Sequence, residues 1–249
     1  MGRWSRQLAR RFVSWLQVPR GAHWLDVGCG TGALTNAICG DADPASVVGC
    51  DPTESFIEYA RDHSEDIRAS FVVAGVGGLP SRAGGYGCVA SSLALNFFPD
   101  PKAAVDEMRT LASHPGVVSA CVWDYGGGMQ FLRYFWNAVA TVDPSARGRD
   151  EGGLSPLCRP DALADLFGAC GLANVRCEPI EIPTEFADFD DFWQPLLGGT
   201  GPAAVYVASL DGAHRARLAG ELERVLPRGP GGTIALTARA WAVSGTTTG

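Results

Sequence analysis

The sequence predicts an α/β protein built on a doubly wound, mostly parallel sheet. Short strand-like runs alternate with amphipathic stretches through the first half of the chain, the pattern of successive βαβ units. One of these runs, His23 to Val27, carries an acid near its end and is followed by Gly28, Gly30 and Gly32, a strand-to-helix turn whose missing side chains let a ligand approach the backbone. With 249 residues and 46% hydrophobic content, the chain can bury a substantial core as one domain, 1–249, carrying insertions.

The elements follow in order. Residues 1–20 hold Arg3, Arg6, Arg10, Arg11 and Arg20 before any acid, interleaved with Trp4, Leu8, Phe12, Trp15 and Leu16 at helical spacing. Transit peptides and membrane-surface helices share this composition, but the run leads into the first strand without a cleavage-like spacer. An N-terminal helix packed over the ligand site or the sheet edge is therefore expected. After the glycine turn, Ala33 to Cys39 reads as a helix, Asp41 to Pro44 as a loop and Ser46 to Cys50 as a buried strand. Asp51 then stands at that strand's carboxyl edge, where a bidentate carboxylate can accept both hydroxyls of a ribose; Asp-Pro-Thr-Glu is equally a helix start that Asp51 would cap. Phe56, Ile57, Tyr59 and Ala60 give the next helix its apolar stripe, and Ala69 to Ala74 is the third strand. Gly87 to Ser92 is a central fourth strand pointing at the crevice, followed by a helix from Pro101 to Leu111 and a strand from Val117 to Trp123. Beyond it come an aromatic helix over Met129 to Val142, a polar loop to Pro160, a helix to Cys170, a strand over Val175 to Ile182 and a last strand from Thr233 to Val243.

The glycines alone leave two ligands open. Gly28-x-Gly30-x-x-Ala33, with Asp51 about 20 residues on, also satisfies the dinucleotide fingerprint of an NAD(P)-dependent oxidoreductase. Asp26 favours the other reading, because a carboxylate two residues before the first glycine can accept from the ammonium of an amino-acid ligand and would repel a pyrophosphate. No basic side chain occurs between Arg20 and Arg61 to offset that repulsion.

Leu25 to Gly32 reads LDVGCGTG, and Gly49 to Pro52, Ala74-Gly75, Leu79-Pro80 and Leu95 to Asp100 follow at matching intervals. On these residues the chain resembles the class I S-adenosylmethionine-dependent methyltransferases, most closely their small-molecule, type 11-like group. The resemblance implies a Rossmann-like sheet of seven strands in the order 3-2-1-4-5-7-6, with helices on both faces and the last strand pairing antiparallel at the sheet edge. It also implies S-adenosyl-L-methionine as cofactor, held by Asp26, Gly28, Cys29, Gly30, Asp51, Pro52, Gly75, Val76 and Ser92. Relatives usually place an acid for the adenine amino group where this chain has Val76, which leaves backbone contacts and apolar packing to hold the base.

Asn96, Asp124 and Tyr125 fall at carboxyl ends of central strands and are the candidates for positioning or deprotonating an acceptor. Asn96 fits equally as a cap of the helix from Pro101. The stretches 124–159 and 184–232 are expected to cover the acceptor side, with Tyr125, Tyr134 and Trp193 in the cavity wall and Phe131, Phe135 and Phe192 in a satellite core.

A net charge of −7 argues against a broad nucleic-acid footprint, so a small-molecule acceptor is the expected partner. No apolar run reaches the roughly 20 residues that span a bilayer, so stable membrane insertion is not expected. Eight cysteines without a CxxC pair or a secretory signal point to reduced thiols and a cytoplasmic protein, and four histidines without ligand spacing point to no metal. Thiol-assisted methylation of arsenite, suggested by the cysteine count, and a cofactor-binding protein without catalysis, suggested by Val76, stay open beside the oxidoreductase. The oligomeric state is open too.

Overall fold

The computed structural model describes residues 2–199 and 201–248. Seven strands, β1 (His23–Val27), β2 (Ser46–Asp51), β3 (Ala69–Val73), β4 (Tyr86–Ser92), β5 (Ala112–Trp123), β6 (Ala173–Phe186) and β7 (Ile234–Thr246), form one sheet in the order β3-β2-β1-β4-β5-β7-β6. The helices are α1 (Gly2–Leu16), α2 (Ala33–Asp41), α3 (Glu54–Asp62), α4 (Pro101–Leu111), α5 (Gln130–Val142), α6 (Glu151–Leu154), α7 (Pro160–Ala169), α8 (Phe189–Gly198), α9 (Pro202–Ser209) and α10 (Gly212–Val225).

The pairs from β3 through β5 are parallel. β7 runs the other way: hydrogen bonds join Thr247 to Gly116, Ser119 to Val243 and Asp124 to Arg239, so rising numbers on β5 meet falling numbers on β7. The expected order and the antiparallel last strand are both found, but β7 is not at the edge. It lies between β5 and β6, and the second half of its burial pattern is almost continuously buried, as an inner strand covered on both faces requires. β6 is the edge strand, and its residues are largely exposed or alternate with solvent.

Two compact units divide the chain. The first comprises Met1–Val122, Arg159–Ile180 and Ala240–Gly249. Its core is built on β1 and β4, where Trp24, Leu25, Cys88, Val89 and Ala90 are fully buried, and α4 adds Ala104, Val105 and Met108. The spacing of apolar residues in α1 puts Leu8, Ala9, Phe12, Val13 and Leu16 on one face, and the helix packs against α2. Burial of each large side chain there is worth about 1.5–3 kcal/mol. Its end is fastened to β6, with the Arg176 guanidinium 4.1 Å from the Trp15 ring and Trp15 Nε1 donating to Glu178 at 2.8 Å. Strand β5 starts five residues before its apolar run, because Ala112 pairs with Tyr86 and Thr247 Oγ1 accepts from Gly116.

The second unit comprises Trp123–Cys158 and Glu181–Arg239, close to the two stretches expected to be insertions. The stretch 184–232 contains three helices, α8, α9 and α10. Helix α5 packs on α10 and α8 on α9. Phe135 and Phe192 are buried, and Phe131 meets the rings of Phe186 and Phe192, each at 6.5 Å, which makes the aromatics of both segments one satellite core. Among the described residues, no helix is long and apolar enough to cross a membrane.

Candidate functional site

The site begins where β1 ends. Asp26 is fully buried opposite Gly49 of β2. Thr35 on α2 donates its hydroxyl to Asp26 Oδ2 at 2.7 Å, while Oδ1 has no hydrogen-bond partner among the described residues. Burial pushes the Asp26 carboxyl up to about 7, and the hydroxyl and amide of Thr35 oppose that rise.

The glycine turn is then clamped onto β2. Cys50 O accepts from the amides of Gly28 and Cys29, and Asp51 Oδ2 accepts from Gly30 N at 3.0 Å. Gly28 has φ +73°, and a Cβ built on it would stand 2.5 Å from the Ala94 Cβ, so the loop after β4 comes to rest where that side chain would be. Gly30, by contrast, has open space where a Cβ would go. Gly32 leads into α2 in a left-handed conformation, without a side-chain cap, so no side chain competes for the helix's first amides.

Asp51 is buried, and its Oδ1 accepts from Thr53 N at 2.9 Å, holding the turn into α3. The carboxylate therefore fastens both the glycine loop and the start of α3, while keeping lone pairs free for further donors. Pro52 lies against Gly75, which follows β3. Val76 is half-buried in the loop beyond, and Glu107 of α4 accepts from Gly77 N at 2.5 Å and Leu79 N at 2.9 Å. At the end of β4, Ser92 Oγ lies 3.3 Å from Cys121 Sγ. Thus Asp26, Gly28, Cys29, Gly30, Asp51, Pro52, Gly75, Val76 and Ser92 gather at the carboxyl ends of neighbouring strands. The orphaned, buried Oδ1 of Asp26 and the open space at Gly30 suit a ligand carrying an ammonium group beside a polar body.

A family model described as a methyltransferase domain matches residues 25–116. Over that stretch the chain is similar to a methyltransferase domain. The match favours the methyl-donor reading of the glycine turn over the dinucleotide one.

Two curated relatives resemble this chain. The malonyl-[acyl-carrier protein] O-methyltransferase of Hahella chejuensis is 33% identical over 79 residues, which is 32% of this chain and 28% of that protein. The nocamycin O-methyltransferase of Saccharothrix syringae is 28% identical over 253 residues, 93% of this chain and 88% of that protein. Among solved structures, the Haemonchus contortus phosphoethanolamine N-methyltransferase 2, bound to S-adenosyl-L-methionine, superposes with a TM-score of 0.60 at 12% identity, covering 98% of this chain and 53% of that one. At that identity the likeness is one of fold.

The remaining candidates divide between the units. Asn96 is half-buried in the short 3-10 turn Leu95–Phe97 of the first unit. It does not cap α4, since Asp100 does so, accepting from Ala103 N at 3.0 Å with Pro101 in the first turn. Asp124 and Tyr125 belong to the second unit. Both Asp124 oxygens are engaged: Oδ2 accepts from Arg239 Nε at 2.9 Å and Nη2 at 2.6 Å, and Oδ1 from Gly127 N at 2.9 Å. Burial, followed by the nearby Cys158 and Glu151, raises the Tyr125 phenol well above its ordinary value, so it stays protonated. Tyr134 is half-buried, and Trp193 is buried with its ring stacked on Phe189 at 6.1 Å.

Glu151, which the sequence does not single out, is a buried carboxyl raised by desolvation and bonded by Trp136 Nε1. Thr35 and Glu107 are likewise invisible to motif reading, because each acts on a different element, Thr35 on Asp26 of β1 and Glu107 on the loop after β3. Seven of the eight cysteines are buried, Cys177 is half-buried, and all are free. Among the described residues no group of three or more His, Cys, Asp or Glu side chains is placed to hold a metal ion.

Proposed function

We propose that the crevice at the carboxyl ends of β1, β2 and β4 binds S-adenosylmethionine and that the protein passes its methyl group to an oxygen of a small organic acceptor. The observation that carries the first part is Asp26, a buried carboxyl with one oxygen left without a partner beside an open glycine turn. Asp26 would take the amino-acid ammonium. The uncapped start of α2 would face the carboxylate. Asp51 would accept the ribose hydroxyls with its remaining lone pairs, and Gly75, Val76 and Pro52 would pack on the adenine. Gly28, Cys29, Gly30 and Ser92 would line the approach. The names of the two O-methyltransferase relatives support oxygen as the receiving atom.

The bound cofactor supplies a methyl group already activated on a sulfonium. What remains for the chain's residues is alignment, exclusion of water and removal of a proton from the acceptor hydroxyl. Asn96 is suited to orient the acceptor. Asp124 has both oxygens engaged by Arg239 and the Gly127 amide, which suits it to hold its loop, and Tyr125 keeps its proton, which suits it to donate a hydrogen bond. Tyr134 and Trp193, in the second unit, are proposed to select the acceptor.

Titration calorimetry with S-adenosylmethionine, its demethylated product and NAD tests the cofactor assignment. Binding of the first two and not of NAD is expected. Asp51→Ala should weaken that binding by about 1–3 kcal/mol, the cost of losing a charged acceptor. Unchanged affinity with a lower melting temperature would leave Asp51 as a clasp for the loop and α3 alone.

A further inference from the structure

Thr35 is as deeply buried as Asp26 itself. Its hydroxyl has room only because residue 49 is glycine: a Cβ there would lie 2.9 Å from Thr35 Oγ1 and 2.8 Å from the Phe71 ring. Strand β2 thus opens a slot beside β1 into which α2 places one hydroxyl. That hydroxyl fixes Asp26 Oδ2 and leaves Oδ1 as a lone acceptor, without a protein donor among the described residues.

The groups facing Asp26 come from each neighbouring element. Asp51 at the end of β2 acts on it as a like charge. The thiols of Cys29 in the glycine turn, Cys50 on β2 and Cys121 on β5 also feel it, all three raised chiefly by burial and further by the Asp26 charge. Among the described residues no cation acts on the carboxyl, and desolvation sets it near the neutral range.

We propose that Thr35 is a positioning residue which pins Asp26 so that Oδ1 alone receives an α-ammonium group, and that capture of this group expels the Asp26 proton to solvent. The step rests on the S-adenosylmethionine reading above. In it the carboxyl O–H bond breaks, its electron pair stays on the carboxylate, the proton passes to buffer and the ammonium keeps its hydrogens. A neutral acid is replaced by an ion pair with no net charge, so the cation is held without leaving a bare charge buried.

S-adenosylhomocysteine, which carries the ammonium, and 5′-methylthioadenosine, which lacks the whole amino-acid portion, are the probes. Calorimetry from about pH 5.5 to about pH 7.5, in two buffers of different protonation heat, reads both affinity and proton release. For S-adenosylhomocysteine, affinity should climb with pH and protons should be released, whereas methylthioadenosine should show neither. Asp26→Asn should abolish both effects. Thr35→Val removes a hydrogen bond to the ionised carboxylate, so the rise in affinity should move up by about one pH unit, and Thr35→Ser should move it back. Thr35→Ala carries the same expectation as the valine variant should the latter not fold. A loss of affinity equal at every pH in the Thr35 variants, or a pH slope shared by methylthioadenosine, would overturn the proposal. Wild-type protein that binds neither probe at any pH would instead reject the cofactor reading itself, and this proposal with it.

Discussion

At the scale of single residues, the site is a set of carboxyls separated by environment. Asp51 takes two backbone amides and sits at the crevice edge, Asp124 is tied to Arg239, and Asp26 is buried with no cation acting on it among the described residues. Burial raises Asp26 from 3.8 to about 7, so the folded state holds a proton that the unfolded chain gives up between those values. The resulting stability is fully present below about pH 4 and is lost as pH rises through about 7. Asp26→Asn carries no such proton, so in cofactor-free protein its melting temperature should gain on the wild type as pH rises across that window. Parallel melting curves for the two proteins from pH 4 to about pH 8 would contradict the assignment. Motif reading picked out Asp26 and Asp51 because both lie next to the chain's most constrained backbone. It missed Thr35, whose partner is nine positions away on a different element, so that only the packing of α2 on β1 joins them.

At the scale of elements, the loops that form the crevice are held by side chains from helices behind them. Glu107 of α4 accepts the amides of Gly77 and Leu79 and so fixes the turn after Val76, the residue proposed to pack on the adenine. Glu107→Ala should expose both amides to faster hydrogen exchange and weaken cofactor binding by about 1–2 kcal/mol, the cost of freeing a loop held by hydrogen bonds to a charged group. Unchanged exchange at Gly77 and Leu79 would show that the loop keeps its shape without the clasp. Helix starts were legible where the chain carries its own cap, as at Asp100-Pro101. Strand limits were less so: β5 starts among Ser113, His114 and Pro115, which are poor strand formers, and is extended by neighbours that arrive from elsewhere in the chain.

At the scale of the whole molecule, the second unit gathers two segments far apart in sequence around one aromatic core, and acceptor selection is the function proposed for it. Alanine variants of Tyr125, Tyr134 and Trp193 should leave S-adenosylhomocysteine affinity within about twofold, since cofactor binding is proposed to rest on the first unit, while lowering turnover or changing acceptor preference in a panel of hydroxylated compounds. Trp193→Ala also removes a buried ring and should cost about 3–5 kcal/mol of stability, so Trp193→Phe, which keeps the packing, is the cleaner variant at that position. Unaltered turnover and preference in all three positions would remove this unit from acceptor recognition. The sequence by itself determined the α/β class, the parallel half of the sheet and the glycine-turn crevice, because these depend on local signals: strand periodicity, glycine at a tight turn, an acid at a strand end. Only the tertiary structure decided that β7 enters between β5 and β6, that residues 123–158 and 181–239 share a core, and that one oxygen of Asp26 is held while the other is left over. Each of those depends on contacts between residues distant along the chain, where the energy resides in which surfaces meet and no run of neighbouring residues records the pairing.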